Sequence, residues 1–148
     1  MSPLKKITVL LVDDNAAVRR GLRTLLESEG HSKVVGQARN GRKAVEMART
    51  MRPDVILMDI AMPVLNGLEA TRQILAANPA AKVLILSAHS DDGYIEQLIA
   101  VGATGFLEKL TAAEILPKAI REVVKGNQFF SPAIAKRMTH RKSDYPLE

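Results

Sequence analysis

The chain has 148 residues, 47% of them apolar and 25% charged, the balance of one soluble globular domain and not of a disordered or fibrous chain. Cysteine is absent, which excludes disulfide frameworks, thiolate metal sites and cysteine nucleophiles, and no apolar run is long enough to span a membrane. The net charge of +5 is uneven: through Val124 there are 16 basic against 14 acidic residues, and in the last 24 residues five against two. That basic tail reads as a solvated linker, since no recognition helix accompanies it. The N-terminus has no small-residue cleavage site, and Asp13-Asp14 interrupt any signal peptide, so a cytoplasmic protein without membrane contact is expected.

Aromatic residues make up only 3% of the chain, so the core must be aliphatic, as in parallel sheets covered by helices. Residues 7–12 (ITVLLV) read as a strand buried on both faces, ending at Asp13-Asp14-Asn15. Val18, Leu22, Leu25 and Leu26 recur at helical spacing up to Gly30. A weaker strand over 33–38 precedes a helix carrying Ala44, Val45, Ala48 and Met51, which Pro53 stops. Residues 54–59 form a third buried strand, again ending on a carboxylate, Asp59. A loop over 60–66 leads to a helix with Leu68, Ile74 and Leu75, and then to a fourth strand over 82–87. A helix over 91–101 is closed by Gly102, a fifth strand covers 104–108, and Lys109 precedes a helix over 111–124. Residues 126–132 read as a turn, 133–138 as the start of another helix, and 139–148 as a polar tail.

Five strands alternating with five helices predict an open α/β sheet, parallel because crossovers are right-handed, with helices on both faces. In such a sheet ligands bind outside the carboxyl ends of the strands. That rule selects Asp13 and Asp14, Asp59, Ser87 and Lys109. Each alone has a plain alternative: Asp14 and Ser87 as helix caps, Asp59 as a loop starter, Lys109 as a surface charge. Together they carry chemistry. Three adjacent carboxylates repel one another unless a cation intervenes, and an all-oxygen ligand set suits Mg²⁺. A carboxylate beside Mg²⁺ and an ammonium group can accept a phosphoryl group, because the cations neutralise the incoming oxygens.

The segments Val12-Asp13-Asp14, Met58-Asp59-Ile60-Ala61-Met62-Pro63, Asn66-Gly67, Leu86-Ser87-Ala88 and Gly102-Ala103 through Lys109 resemble the receiver domain of two-component response regulators. The resemblance covers about residues 6–126. It implies a flavodoxin-like (CheY-like) doubly wound sheet of order 2-1-3-4-5 and phosphorylation of Asp59 by a sensor histidine kinase. It also implies Mg²⁺ held by Asp14, Asp59 and the Ala61 carbonyl, with Asp13 contributing to the metal site mainly through water, and Ser87 and Lys109 gripping the phosphoryl group. Phe106 stands where receivers carry a switch aromatic, so the signal is expected on the face of the fourth helix, fifth strand and fifth helix. The alternative for Phe106 is plain core.

Two positions depart from the family pattern. Leu110 replaces a common proline after Lys109, and Ala61 and His89 stand at the positions that in the family influence a hydrolytic water: Ala61 offers it no side-chain hydrogen bond, which implies slow loss of the phosphoryl group, while His89 either orients or obstructs the water. The segment 126–135 (GNQFFSPAIA) is similar to the linker leading into the helix-turn-helix of NarL/FixJ-type transcription regulators. A receiver over 1–126 and a linker over 127–148 are therefore expected, with DNA contacted only through a C-terminal domain that the chain lacks. Both an excised receiver and a natural single-domain regulator fit this division. A homodimer formed on phosphorylation is compatible with the family, and no enzymatic turnover is expected. The competing functions are an aspartyl phosphatase, which would show Asp-x-Asp after the first strand, and a receiver-like interaction module independent of phosphorylation. The pairs Arg19-Arg20 and Arg42-Lys43 read as solvated helix faces, although kinases often dock beside the first helix.

Overall fold

A strand made only of aliphatic residues cannot leave either face in water, so each must sit between two layers of helix. The computed structural model realises this arrangement and describes residues 5–60, 62, 64–87, 92–109, 112–131 and 135. The elements in chain order are β1 (Ile7–Val12), α1 (Ala16–Ser28), β2 (Ser32–Ala38), α2 (Gly41–Met51), β3 (Val55–Asp59) and α3 (Gly67–Ala77). They continue with β4 (Val83–Ser87), α4 (Asp92–Val101), β5 (Gly105–Glu108), α5 (Ala112–Val124) and β6 (Phe129–Phe130). All strand pairs are parallel, in the order β2-β1-β3-β4-β5-β6.

Alternation along each strand divides the core in two. Leu10, Val12, Ile56, Met58, Ile85 and Phe106 face the layer that contains Ala44, Ile74 and Leu98, from α2, α3 and α4. Val9, Leu11, Val55, Leu57, Leu84 and Leu107 face Leu26, Leu116, Ala119 and Ile120, from α1 and α5. Successive strand residues thus serve opposite layers, the period of two expected of a pleated strand.

The three helices that follow β1, β2 and β3 start on asparagines. Asn15 accepts from the amides of Ala17 and Val18, Asn40 from Lys43 and Asn66 from Glu69, which satisfies amides otherwise left open at a helix start. Asp14 therefore has no capping duty. Thr8 and Asp54 clamp the starts of β1 and β3 reciprocally: the Thr8 amide donates to Asp54 Oδ2, and the Asp54 amide to Thr8 Oγ1, both at 2.8 Å.

The expected order 2-1-3-4-5 is present, but the sheet has six strands and not five. Within residues 126–132, which the sequence predicts as a turn, Phe129–Phe130 pairs in register with Gly105 and Phe106 of β5. The Phe129 amide donates to the Thr104 carbonyl at 3.1 Å and the Ser131 amide to the Phe106 carbonyl at 2.9 Å. Gly126, at φ 99°, makes the reversal after α5 that a side-chain-bearing residue adopts only with strain. The Phe130 ring stacks on Phe106, with centroids 5.4 Å apart and planes 8° from parallel. Of the helix expected over 133–138, only Ala135 lies within the described residues; its amide donates to the Ser131 carbonyl at 2.8 Å.

Candidate functional site

Parallel strands bring their carboxyl ends to one margin of the sheet, so residues far apart in sequence meet there. Asp13 follows β1, Asp59 ends β3, Ser87 ends β4 and Lys109 follows β5. Asp13, Asp14 and Asp59 each present a carboxylate oxygen within 4.8 Å of the others. Asp13 and Asp59 are 1% and 2% exposed, whereas Asp14 is exposed.

Asp13 is held closely. Its amide donates to the Ala38 carbonyl at 3.1 Å, and its Oδ1 accepts from the Asn15 amide at 2.9 Å. Its Oδ2 lies 3.3 Å from the Lys109 ammonium, an ion-pair distance, but is buried without an aligned hydrogen-bond donor among the described residues. Lys109 also lies 3.2 Å from Asp59 Oδ1. Burial alone would lower the pKa of this ammonium, but Asp59 and then Asp13 outweigh it and raise the value, so Lys109 stays charged near neutrality.

Ser87 is fully buried, and its hydroxyl has no hydrogen-bond partner among the described residues. Ser87 ends β4 at the same margin of the sheet, where a hydroxyl can donate a hydrogen bond to an oxygen anion. Gly67, at the start of α3, packs against the end of β3. A Cβ at this position would collide with the Asp59 carbonyl oxygen and lie 2.8 Å from Ile60 Cα. Close approach to the Asp59 backbone is therefore the reason for glycine here.

The donor set fits a hard divalent cation. Three carboxylates supply oxygen ligands, no thiolate or imidazole joins them, and Lys109 offsets one of the three negative charges. The remaining two match the charge of Mg²⁺. The expected fourth ligand, the Ala61 carbonyl, lies outside the described residues, as do His89 and Leu110. Phe106 is fully buried against Phe130.

The five polar residues selected from strand ends thus converge on one margin. Arg19 differs from the solvated arginine that its helix-face position predicts: its guanidinium bonds to the Asp13 carbonyl and to Gln37. Its position four residues after the helix cap was the only sequence signal for that.

Residues 9–121 match the family described as response regulator receiver domain. The transcriptional regulatory protein DegU of Brevibacillus brevis is 38% identical over 133 residues, covering 90% of this chain and 56% of its own length. The response regulator UvrY of Escherichia coli is 41% identical over 132 residues, 89% of this chain and 61% of its own. The chain thus spans less than two thirds of the length of these curated relatives. Among solved structures, a LuxR-family two-component response regulator from Aurantimonas sp. superposes with a TM-score of 0.88 at 31% identity, covering 94% of this chain and 99% of that one. The response regulator domain of Thermotoga maritima CheB gives 0.76 at 36% identity, covering 82% and 98%. Among the described residues no helix is long and apolar enough to cross a membrane.

Proposed function

The chain belongs to the response regulator receiver domain family, and from that premise we propose that Asp59 is the residue that accepts a phosphoryl group from a sensor histidine kinase. The observation that carries this reading is the setting of Asp59. Its carboxylate is buried at the end of β3, 3.2 Å from the Lys109 ammonium, at the same margin as the buried Ser87 at the end of β4. In the transfer, an Asp59 carboxylate oxygen forms a bond to phosphorus while the phosphorus–nitrogen bond of the donor imidazole breaks, and the electron pair leaves with the imidazole. Lys109 offsets charge on the incoming oxygens, and the Ser87 hydroxyl donates to one of them. Asp13, Asp14, Asp59 and the Ala61 carbonyl would hold Mg²⁺, which when bound supplies further charge neutralisation at the phosphoryl oxygens.

The phosphorylated state is read on α4, β5 and α5. Movement of Ser87 toward a phosphoryl oxygen would free space beside Phe106 on the neighbouring strand, and the stack with Phe130 carries any shift of Phe106 into β6. The residues beyond β6 act as a linker, and in a longer regulator the output is transcriptional control through a C-terminal DNA-binding region. The names and greater length of the regulators that the chain matches support this. Dimerisation on phosphorylation belongs to the same proposal. The adjacent acidic pair after β1 favours a signalling receiver over an aspartyl phosphatase.

Intact-mass spectrometry after incubation with acetyl phosphate tests the reading. The wild type is expected to gain one phosphoryl group only with Mg²⁺ present, and Asp59→Asn to gain none. A gain that survives in Asp59→Asn would assign the acceptor elsewhere. No gain in folded wild-type protein, from acetyl phosphate or from a histidine kinase, would favour an interaction module independent of phosphorylation.

A further inference from the structure

Arg19 stands in α1, outside the acidic cluster, and makes two directed hydrogen bonds. Its Nη1 donates to the main-chain carbonyl of Asp13 at 2.6 Å, and its Nε to Gln37 Oε1 at 3.1 Å. Gln37 belongs to β2, where it pairs in register with Leu11 of β1. The side chain therefore straps the helix, the turn after β1 and a neighbouring strand together. Among the described residues it makes no ion pair and gives these bonds to neutral acceptors.

The carbonyl it holds is part of the planar peptide unit joining Asp13 to Asp14. Fixing that oxygen fixes the orientation of the whole plane, and with it the direction in which the Asp14 side chain leaves the backbone. Asp13 has other anchors in the Ala38 carbonyl, the Asn15 amide and Lys109. Asp14 has none: it is exposed, and among the described residues its carboxylate has no hydrogen-bond or ion-pair partner. Its aim toward Asp13 and Asp59 is inherited from the backbone.

We infer that Arg19, braced by Gln37, is a positioning residue for divalent-cation binding, acting through the Asp13–Asp14 peptide plane and not through its charge. This rests on reading the cluster as a Mg²⁺ site. Charge and positioning have opposite signs here. A guanidinium acting only as a nearby positive charge repels Mg²⁺, so its removal tightens binding. A guanidinium that aims Asp14 helps the ion, so its removal weakens binding.

Calorimetric titration of the full chain with Mg²⁺ decides between them, alongside the thermal midpoint of each variant. Arg19→Ala is expected to weaken Mg²⁺ binding about tenfold, the lower end of what loss of a residue supporting metal ligands does. Gln37→Met leaves the charge untouched and loosens only the brace, and should weaken binding by about two- to threefold, less than loss of a full supporting residue. At saturating Mg²⁺ the acetyl phosphate reaction of Arg19→Ala should return close to the wild-type rate, since the acceptor and Lys109 are intact. Equal or tighter Mg²⁺ binding by Arg19→Ala would overturn the inference and leave the metal site standing. If Arg19→Ala does not fold, Gln37→Met decides: unchanged affinity overturns the inference and weaker affinity supports it. Wild-type protein that shows no saturable Mg²⁺ binding would overturn the metal reading and this inference together.

Discussion

Replacing Lys109 by methionine keeps an unbranched stem and removes the ammonium that lies 3.3 Å from Asp13 and 3.2 Å from Asp59. At such a separation and an effective dielectric constant of about 20, each pair carries roughly 5 kcal/mol of gross attraction. Desolvation of the ammonium takes back part of that, and the Lys109 side chain, 32% exposed, is partly screened by water. Removing one partner of a fully buried ion pair costs about 3–5 kcal/mol, so the partial exposure of Lys109 brings the expected loss to about 2–3 kcal/mol. In a domain of this length each kcal/mol lowers the midpoint by roughly 2–4 °C, giving a drop of about 5–10 °C. Urea and thermal unfolding followed by far-ultraviolet circular dichroism would measure it, first in EDTA and then in excess MgCl₂. The variant's cluster carries one more uncompensated negative charge, so it should bind Mg²⁺ more tightly and gain more from it. At about a hundredfold excess over the dissociation constant, binding adds about 2.7 kcal/mol, and the gap to wild type should narrow. A variant as stable as wild type in EDTA would refute the electrostatic account of the cluster. If Mg²⁺ stabilises neither protein, these carboxylates do not share a cation, and an equal gain in both would refute the expected tightening in the variant.

Gly67→Ala places a Cβ against the Asp59 carbonyl and should cost about 1–3 kcal/mol while slowing phosphorylation by acetyl phosphate. An unchanged denaturation midpoint and an unchanged rate would show that the loop yields freely. Thr71 is fully buried in α3 with its hydroxyl unpartnered among the described residues, so Thr71→Val should raise stability by about 1 kcal/mol and the midpoint by roughly 2–4 °C. A lowered midpoint would reveal a partner for that hydroxyl. Phe130→Ala removes a half-buried ring from the stack with Phe106, at about half the 3–5 kcal/mol cost of truncating a buried phenylalanine. Hydrogen exchange should then quicken at the amides of Phe129 and Ser131 but not in β1 or β3; unchanged protection would sink the expectation. Glu27 accepts from the Val34 amide and pairs with Arg23, which together hold its carboxyl below the ordinary value. Its stabilisation is present above the unfolded pKa and lost as pH falls through the lowered folded value. The midpoint difference between wild type and Glu27→Gln should therefore be seen at pH 7 and close in acid; a constant difference would assign the effect to packing.

Most of the architecture was legible because its chemistry sits where the aliphatic runs stop. Asp13, Asp59, Ser87 and Lys109 interrupt or follow aliphatic strands, each explicable alone but telling as a set, because one sheet margin collects the ends of parallel strands. Other features depended on pairings that no local pattern encodes. Asp14 and Asn15 are both good helix caps, and only the backbone geometry at Asn15 assigned it the duty. A two-residue strand has no periodicity, so Phe129–Phe130 became recognisable as β6 only through its bonds to Thr104 and Phe106. Arg19 looked like any helix-surface arginine, because the carbonyl it holds and the glutamine that braces it lie on separate elements.

β6 also determines what the margin of the sheet offers to other molecules. It covers β5 over only two residue pairs. A bare strand flank is a template on which another chain can add a strand, and proteins blunt such flanks with short or covered segments. The short cover over β5 is pinned by the same ring that touches Phe106. A displacement of Phe106 that frees Phe130 would therefore loosen β6 and unmask main-chain donors and acceptors of β5 capable of joining two copies of the sheet. Cover of the β5 flank thus depends on a single aromatic contact.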